Sequence, residues 1–166
     1  MIVLGIDPGL ALTGWGVVAS SDKNALSLIS YGCIKTTPKQ PVCERLKIIN
    51  HTIRELIQGY KPRLMAIEEL FFAKEARTVA SVGQARGAIL MAAVDEELPV
   101  FEYNPRNVKI ALTGYGSADK SQMQNMVKKI LMLKEIPKPD DAADALAIAM
   151  CHINTSKFNT LIGAQL

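Results

Sequence analysis

The segment KPDDAADALAIAM, residues 138–150, constrains the fold more than any other part of this 166-residue chain. Beyond its three aspartates it is almost entirely apolar, and a helix that is apolar all round belongs in an interior. Ionised carboxylates are not tolerated there unless they are paired or bind a metal. The segment therefore predicts a buried helix with acids gathered at its start, and these acids need a partner.

The rest of the chain predicts one α/β domain. Short links between the first three strands imply an antiparallel meander, and later strands join through helical crossovers. We expect a mixed five-stranded sheet with helices on both faces, in a single domain over 1–157 followed by a short tail over 158–166. The predicted elements are strands at 2–6, 13–20 and 26–36, a helix at 41–60, a strand at 64–70, a helix at 78–97, a strand at 100–103, a helix at 117–133 with Ser117 as N-cap, and a helix from 140.

Composition and charge exclude several classes of protein. The most apolar run, Gly87 to Val94, is too short to cross a bilayer, and the N-terminal MIVLGIDPG lacks the features of a signal peptide. We therefore expect a cytoplasmic protein with no membrane contact.

Three cysteines without a CxxC pair, and two histidines, argue against zinc. The net charge of +3 is weak support for an anionic partner, but acids gathered in one site would leave the remaining surface more basic.

Acids stand at the ends of three predicted elements. If the first and fourth strands are neighbours, their carboxyl ends lie at one edge of the sheet, and the last helix can add its acids there. Carboxylates so close raise one another's pKa values, and a divalent cation relieves the repulsion. Ligands that are all hard oxygens favour Mg²⁺ or Mn²⁺ over zinc. The acids are Asp7, Glu68, Glu69, Asp140, Asp141 and Asp144.

Each acid also has a plainer interpretation. Asp7 precedes Pro-Gly and could be a turn aspartate, Asp140 could be a helix cap, and Asp141 could interact with the helix dipole. Asp144 is harder to explain in this way, because it lies one turn inside an apolar helix. The two adjacent glutamates point to opposite sides of a strand, so at most one of them faces the site.

Six motifs resemble, in order, those of the RuvC family of bacterial Holliday-junction resolvases, over roughly residues 2–152. The resemblance implies a ribonuclease H-like fold and a homodimeric, Mg²⁺-dependent endodeoxyribonuclease. Such an enzyme cuts a four-way DNA junction symmetrically by two-metal-ion hydrolysis and leaves 5′-phosphate and 3′-hydroxyl ends. The motifs are GIDPG, AIEELFFAKE, GQARG, ELPVFEY, GSADKSQ and DAADALAIA.

The same resemblance implies the catalytic residues. Four acids would bind two Mg²⁺ ions per site, with Mn²⁺ as a substitute. Glu69 and Asp140 stand beside the motif acids and depart from the pattern, and we expect Glu69→Gln and Asp140→Asn to cleave nearly normally. The four acids implied as catalytic and metal-binding are Asp7, Glu68, Asp141 and Asp144.

Several residues are candidates for DNA contacts. Lys120 lies in the first turn of a predicted helix, where a cation opposes the macrodipole unless a phosphate also docks there; a solvated lysine is the alternative. The resemblance adds Lys109 as a phosphate contact. Phe71 would stack on an unpaired base, or instead tuck under the sheet. Further basic candidates are Lys74, Arg77, Arg86 and Arg106.

The helix predicted over 78–97 is rich in small residues, which close packing on its own sheet explains. The resemblance implies that it also lines the dimer interface, and it makes a branch-migration helicase complex a candidate partner. Two other functions compete. A junction-binding protein without catalysis would not depend on Asp7, whereas an actin-like-fold phosphotransferase would need a second domain, for which 166 residues are too few.

Overall fold

The computed structural model describes residues 1–21, 25–70 and 76–161, with backbone only for 76–78 and 157–161. Within these ranges the chain forms one sheet and the helices that cover it. The strands are β1 (Ile2–Asp7), β2 (Leu12–Ser20), β3 (Leu26–Lys35), β4 (Leu64–Glu68) and β5 (Val100–Tyr103). The helices are α1 (Val42–Tyr60), α2 (Ala76–Asp95), α3 (Pro105–Thr113), α4 (Lys120–Ile130) and α5 (Asp140–Leu161).

The sheet has the order β3-β2-β1-β4-β5 and is mixed, as predicted. The meander β1-β2-β3 is antiparallel, whereas β4 and β5 continue the sheet parallel to β1. The central position of β1 follows from its continuous apolar sequence, because a strand covered on both faces needs no polar alternation. This order puts the carboxyl ends of β1 and β4 side by side.

The two faces of the sheet carry separate hydrophobic clusters. The side chains of Leu4, Ile6 and Ile67 point to one face of the sheet, because successive strand residues face opposite ways. They pack there against α1 and α2. Val3 and Ala66 face the opposite way, into a cluster that α3, α4 and α5 complete. The apolar α5 is therefore central, as its sequence predicts. It covers the face of the sheet that carries the side chains of Asp7 and Glu68, because these residues alternate in step with Val3 and Ala66.

Glycines let α5 approach the sheet closely. In the β1–β2 register Gly5 is opposite Gly16, and Asp7 is opposite Gly14. A Cβ at Gly5 would lie 2.8 Å from the Ala149 backbone nitrogen, inside normal contact distance. Gly5, Gly14 and Gly16 all lie on the face that α5 covers, so the backbone of the helix packs directly against the backbone of the strands.

Two details of the predicted helices are wrong. Residues 105–113 form α3, a helix missing from the prediction, because its nine residues are too few to show a clear period; Asn104 caps it and Pro105 is its first residue. The N-cap of α4 is Asp119, not Ser117: Asp119 and Gln122 form a reciprocal capping box. Ser117 cannot form one, because the residue three positions later is Lys120, which has no acceptor.

The remaining boundaries agree with the prediction to within two residues. The exception is α4, which is three residues shorter at each end than predicted. Helix α5 begins at Asp140, as predicted, and continues to Leu161. It passes through the domain boundary at 157, which stays a prediction. Among the described helices, none combines the length and hydropathy needed to cross a membrane.

Candidate active site

Asp7 and Glu68 come from adjacent parallel strands. Ile6 of β1 is paired with Ile67 of β4, so the next residue of each strand lies at the same edge of the sheet. Both side chains belong to the face that α5 covers, and they form a hydrogen bond with each other. The strand register therefore produces the first half of the acid cluster predicted from the sequence.

Asp141 and Asp144 complete the cluster from the first turns of α5. Asp141 lies over Gly14, the residue opposite Asp7, because a missing side chain leaves room for the helix backbone there. Burial, together with the negative charges of Glu68, Asp144 and Asp141, raises the pKa of Asp7 to about 8. The pKa of Asp144 is also raised, mainly by burial. The four acids thus share one electrostatic environment.

The chemistry of this cluster fits a divalent cation. Its donors are carboxylate oxygens, the ligands that hard cations prefer, and its mutual repulsion is relieved by positive charge. Among the described residues, no group of three or more His, Cys, Asp or Glu side chains is already arranged to hold a metal ion.

Lys120 extends from the first residue of α4 to the start of α5. Its Nζ lies 3.0 Å from Oδ2 of Asp140 and 3.9 Å from Oδ2 of Asp144. The hydrogen bond to Asp140 is the main cause that raises the pKa of Lys120, and the same bond lowers the pKa of Asp140. The second Asp140 oxygen, Oδ1, accepts a 3.0 Å hydrogen bond from Gln124.

A cavity of about 210 Å³ opens between β4, α3, α4 and α5. Two of the predicted acids and two of the predicted lysines line it, so anionic and cationic groups face the same space. Its walls are otherwise apolar. The lining residues are Glu68, Asp144, Lys109, Lys120, Pro105, Val108, Met123, Ala147 and Ile148.

The other predicted residues have different positions. Phe71 and Lys74 lie outside the described residues, and so does the side chain of Arg77. Glu69 is exposed, and its carboxylate accepts a 3.4 Å hydrogen bond from Asn104. It points away from the partners of Glu68, which is the outcome expected for adjacent strand residues.

Arg86 is engaged inside the protein rather than presented to solvent. Its side chain is 13% exposed, and its Nη2 lies 2.7 Å from Oε2 of Glu102. The two side chains form an ion pair, but their relative orientation does not meet the geometry of a hydrogen bond. Its Nε donates to the backbone carbonyl of Glu68 at 3.4 Å. These contacts disfavour Arg86 as a phosphate ligand and make it a support for the end of β4.

Sequence reasoning overlooked the glycines on which the site depends. Gly14 and Gly16 alternate in TGWG, and Gly5 alternates with Asp7 in GIDPG. Glycines at a spacing of two in apolar strands indicate close approach by another backbone. That spacing, combined with the alanine-rich DAADALAIA segment, could have identified the contact between α5 and the sheet.

Comparison with known proteins decides the family. The profile described as "Crossover junction endodeoxyribonuclease RuvC" matches residues 3–152. The chain belongs to the RuvC family. A RuvC relative from Endomicrobium trichonymphae is 59% identical over 159 residues, which cover 96% of this chain and 84% of the relative.

Solved RuvC structures agree with the fold. The structure of RuvC from Thermus thermophilus has a TM-score of 0.90 and 41% identity, and the match covers 96% of this chain and 98% of that one. A structure of Thermus thermophilus RuvC in complex with Holliday junction substrate has a TM-score of 0.88 at 38% identity, with the same coverage. The mixed sheet is therefore the ribonuclease H-like fold, as predicted. RuvC membership also implies a nuclease that uses a divalent metal.

Proposed function

We propose that this protein is an endodeoxyribonuclease that resolves four-way (Holliday) DNA junctions by Mg²⁺-dependent hydrolysis. The family match over residues 3–152 supports the nuclease activity. A 38% identical RuvC bound to Holliday junction substrate supports the choice of DNA structure. The observation that carries the chemical part of the proposal is the convergence of acids from β1, β4 and α5 on one edge of the sheet.

Asp7, Glu68, Asp141 and Asp144 would hold two Mg²⁺ ions, or Mn²⁺ in their place. Bound there, the ions would make an attacking water more acidic than bulk water and would neutralise the charge that develops on the attacking and leaving oxygens. Asp7 must lose its proton to act as a ligand, and its pKa of about 8 makes that loss dependent on the cation. The products would carry 5′-phosphate and 3′-hydroxyl ends.

The lysines supply the cationic side of the site. Lys120 and Lys109 line the cavity together with Glu68 and Asp144, so a phosphate held at the acids would meet ammonium groups on the opposite wall. We assign Lys120 to the scissile phosphate and Lys109 to the DNA backbone nearby. Phe71 and Lys74 complete the proposed DNA contacts, with Phe71 stacking on a base exposed at the junction.

We also propose a homodimer that uses the exposed face of α2. Met91 is 56% exposed and Val94 is 66% exposed, and a Cβ added at Gly87, one turn earlier, would have none of the described residues within 4 Å. These residues share one helix face. An apolar face of this kind suits a two-fold contact, and two-fold symmetry suits a substrate that needs two symmetric cuts. Met91→Glu should give monomers by analytical ultracentrifugation.

The cleavage test compares a four-way junction, a Y-shaped fork and a linear duplex in the presence of Mg²⁺. The junction should be cut preferentially, and Ca²⁺ should support binding without cutting. Asp7→Asn, Glu68→Gln, Asp141→Asn and Asp144→Asn should each abolish cutting while the protein still binds the junction.

Glu69→Gln is the matched control, because it neutralises the neighbouring carboxylate that contacts Asn104 instead of the cluster. It should cut nearly normally. Full activity in one of the four acid variants would remove that residue from the metal site. Normal activity in all four would contradict the nuclease mechanism, and an equal preference for duplex would contradict junction selectivity. A cytoplasmic location and cooperation with a branch-migration helicase complex stay predictions.

A further inference from the structure

One carboxylate beside the site connects α4 with α5 through both of its oxygens. Asp140 Oδ2 lies 3.0 Å from Nζ of Lys120, and Oδ1 accepts a 3.0 Å hydrogen bond from Nε2 of Gln124. The two donors are four residues apart on α4, so they project from the same side of that helix. Contact at both oxygens fixes the direction in which the carboxylate points.

Lys120 needs an external group to hold its ammonium at the cavity. It is the first residue of α4, where the positive end of the helix dipole repels a cation. The nearest acid in sequence, Asp119, uses Oδ1 to cap the N–H of Gln122, so it is committed to the helix end. A lysine side chain with this freedom would otherwise extend into solvent.

The Asp140 contact keeps the ammonium near the catalytic acids. With Nζ held by Asp140, the distance from Nζ to Oδ2 of Asp144 is 3.9 Å. Both side chains of the Lys120–Asp140 pair are more than half exposed, so the pair adds little to the stability of the fold. Its effect is instead to restrict where the Lys120 ammonium lies.

We propose that Asp140 is a positioning residue that holds Lys120 at the active-site cavity for contact with the scissile phosphate. This inference rests on the proposed nuclease function and gives Asp140 a role without metal binding, since both of its oxygens already have partners. It also revises the expectation, drawn from the sequence, that Asp140→Asn cleaves nearly normally.

The test combines four proteins: the wild type, Asp140→Asn, Lys120→Met and the double variant. Single-turnover cleavage of a four-way junction is measured with the protein and Mg²⁺ in excess, and junction affinity is measured in Ca²⁺. Asp140→Asn should cut about fivefold more slowly with unchanged affinity, the loss expected when an exposed ion pair no longer restrains the ammonium. In the Lys120→Met background the same change should cause no further loss, because the residue acts only through Lys120.

Two controls separate this role from general effects. Glu135→Gln removes one exposed acid from the loop before α5 and should leave the rate unchanged, which accounts for net charge. A crystal structure of Asp140→Asn gives a readout independent of activity: Lys120 Nζ should lie well beyond its present 3.9 Å from Asp144.

An unchanged rate in Asp140→Asn, an equal loss with and without Lys120, or an unmoved Lys120 in the crystal would each overturn the inference. Failure of the wild type to cut any junction is a different result, since it would refute the proposed function itself and this role with it.

Discussion

Gly14→Ala should separate the two halves of the acid site without changing any acid. Gly14 is opposite Asp7 in the β1–β2 register, and the start of α5 lies directly over it. A Cβ at this position would lie 3.0 Å from Cβ of Asp141 and would overlap the carbonyl oxygen of Asp141. The carbonyl oxygen belongs to the backbone and Cβ is the first side-chain atom, so a change of side-chain rotamer moves neither of them.

The size of the effect follows from this overlap. Restoring normal contact distance requires the start of α5 or strand β2 to move by about 1 Å. A displacement of about 1 Å in a catalytic group can lower the rate by roughly 100-fold. Overpacking of this kind costs about 1–3 kcal/mol of unfolding free energy. We therefore expect a folded protein of reduced stability whose cutting is much more strongly impaired.

The assay measures both quantities on the same preparations. Single-turnover cleavage of a four-way junction in Mg²⁺ gives the rate, and urea denaturation gives the free energy of unfolding. Gly59→Ala is the matched control: Gly59 lies in α1, and none of the described residues lies within 4 Å of the Cβ that the change would add. It should raise the unfolding free energy by up to about 1 kcal/mol and leave cutting unchanged.

The reasoning would be refuted if Gly14→Ala cut at the wild-type rate while folded. Close seating of Asp141 over β2 would then be irrelevant to catalysis. A loss of cutting that merely matched the fraction of unfolded protein would refute it too, because the predicted displacement acts within the folded state. Retained junction binding in Ca²⁺ would show that the loss belongs to the catalytic step.

Three further predictions concern the interior of the protein. With EDTA present, the unfolding free energy should fall as pH rises from near 3.8 to about 8, because the folded state retains a proton on Asp7 that the unfolded chain has released. In urea titrations Asp7→Asn should reduce this slope and leave the part that the raised pKa of Asp144 causes; an unchanged slope would contradict the prediction. Arg86→Met should slow cutting more than Glu102→Gln does, because it also removes the contact with the end of β4; equal effects in single-turnover assays would contradict this. Tyr103→Phe should lower the unfolding free energy by about 1–3 kcal/mol, because it leaves the buried Nδ1 of His152 without its 2.8 Å hydrogen bond; an unchanged urea midpoint would contradict it.

The sequence predicts the fold well where a physical period is long or unbroken. The apolar run of β1, the helical spacing over 41–60 and the uniformly apolar 145–150 each allow one interpretation, and each matches the structure. The prediction fails where a capping interaction decides whether and where a helix begins. The start of α4 depends on which of two polar residues finds an acceptor three positions later, and α3 depends on its cap more than on its period.

The acid site is predictable in part for a similar reason. Strand ends and the helix start place Asp7, one of Glu68 and Glu69, and the aspartates of 140–144 at one edge of the sheet. The choice between neighbouring acids rests on the resemblance to the RuvC family. The contacts of Asp140 depend on α4 side chains at positions 120 and 124, and the contact of Arg86 depends on a β5 side chain at position 102. No local pattern indicates those pairs, so only the assembled structure reveals them.

The glycines and the acids together explain why this site suits a metal-dependent reaction. Gly5 and Gly14 bring α5 so near to the sheet that Asp7 is buried among other carboxylates, and its pKa of about 8 reflects the instability of a fully ionised cluster. A protein that only binds junctions gains nothing from this repulsion. In the proposed metal site, a cation would relieve this repulsion as well as form new interactions with its ligands, and both effects would favour its binding. The close packing that raises the pKa of Asp7 would therefore also favour cation binding at the proposed metal site.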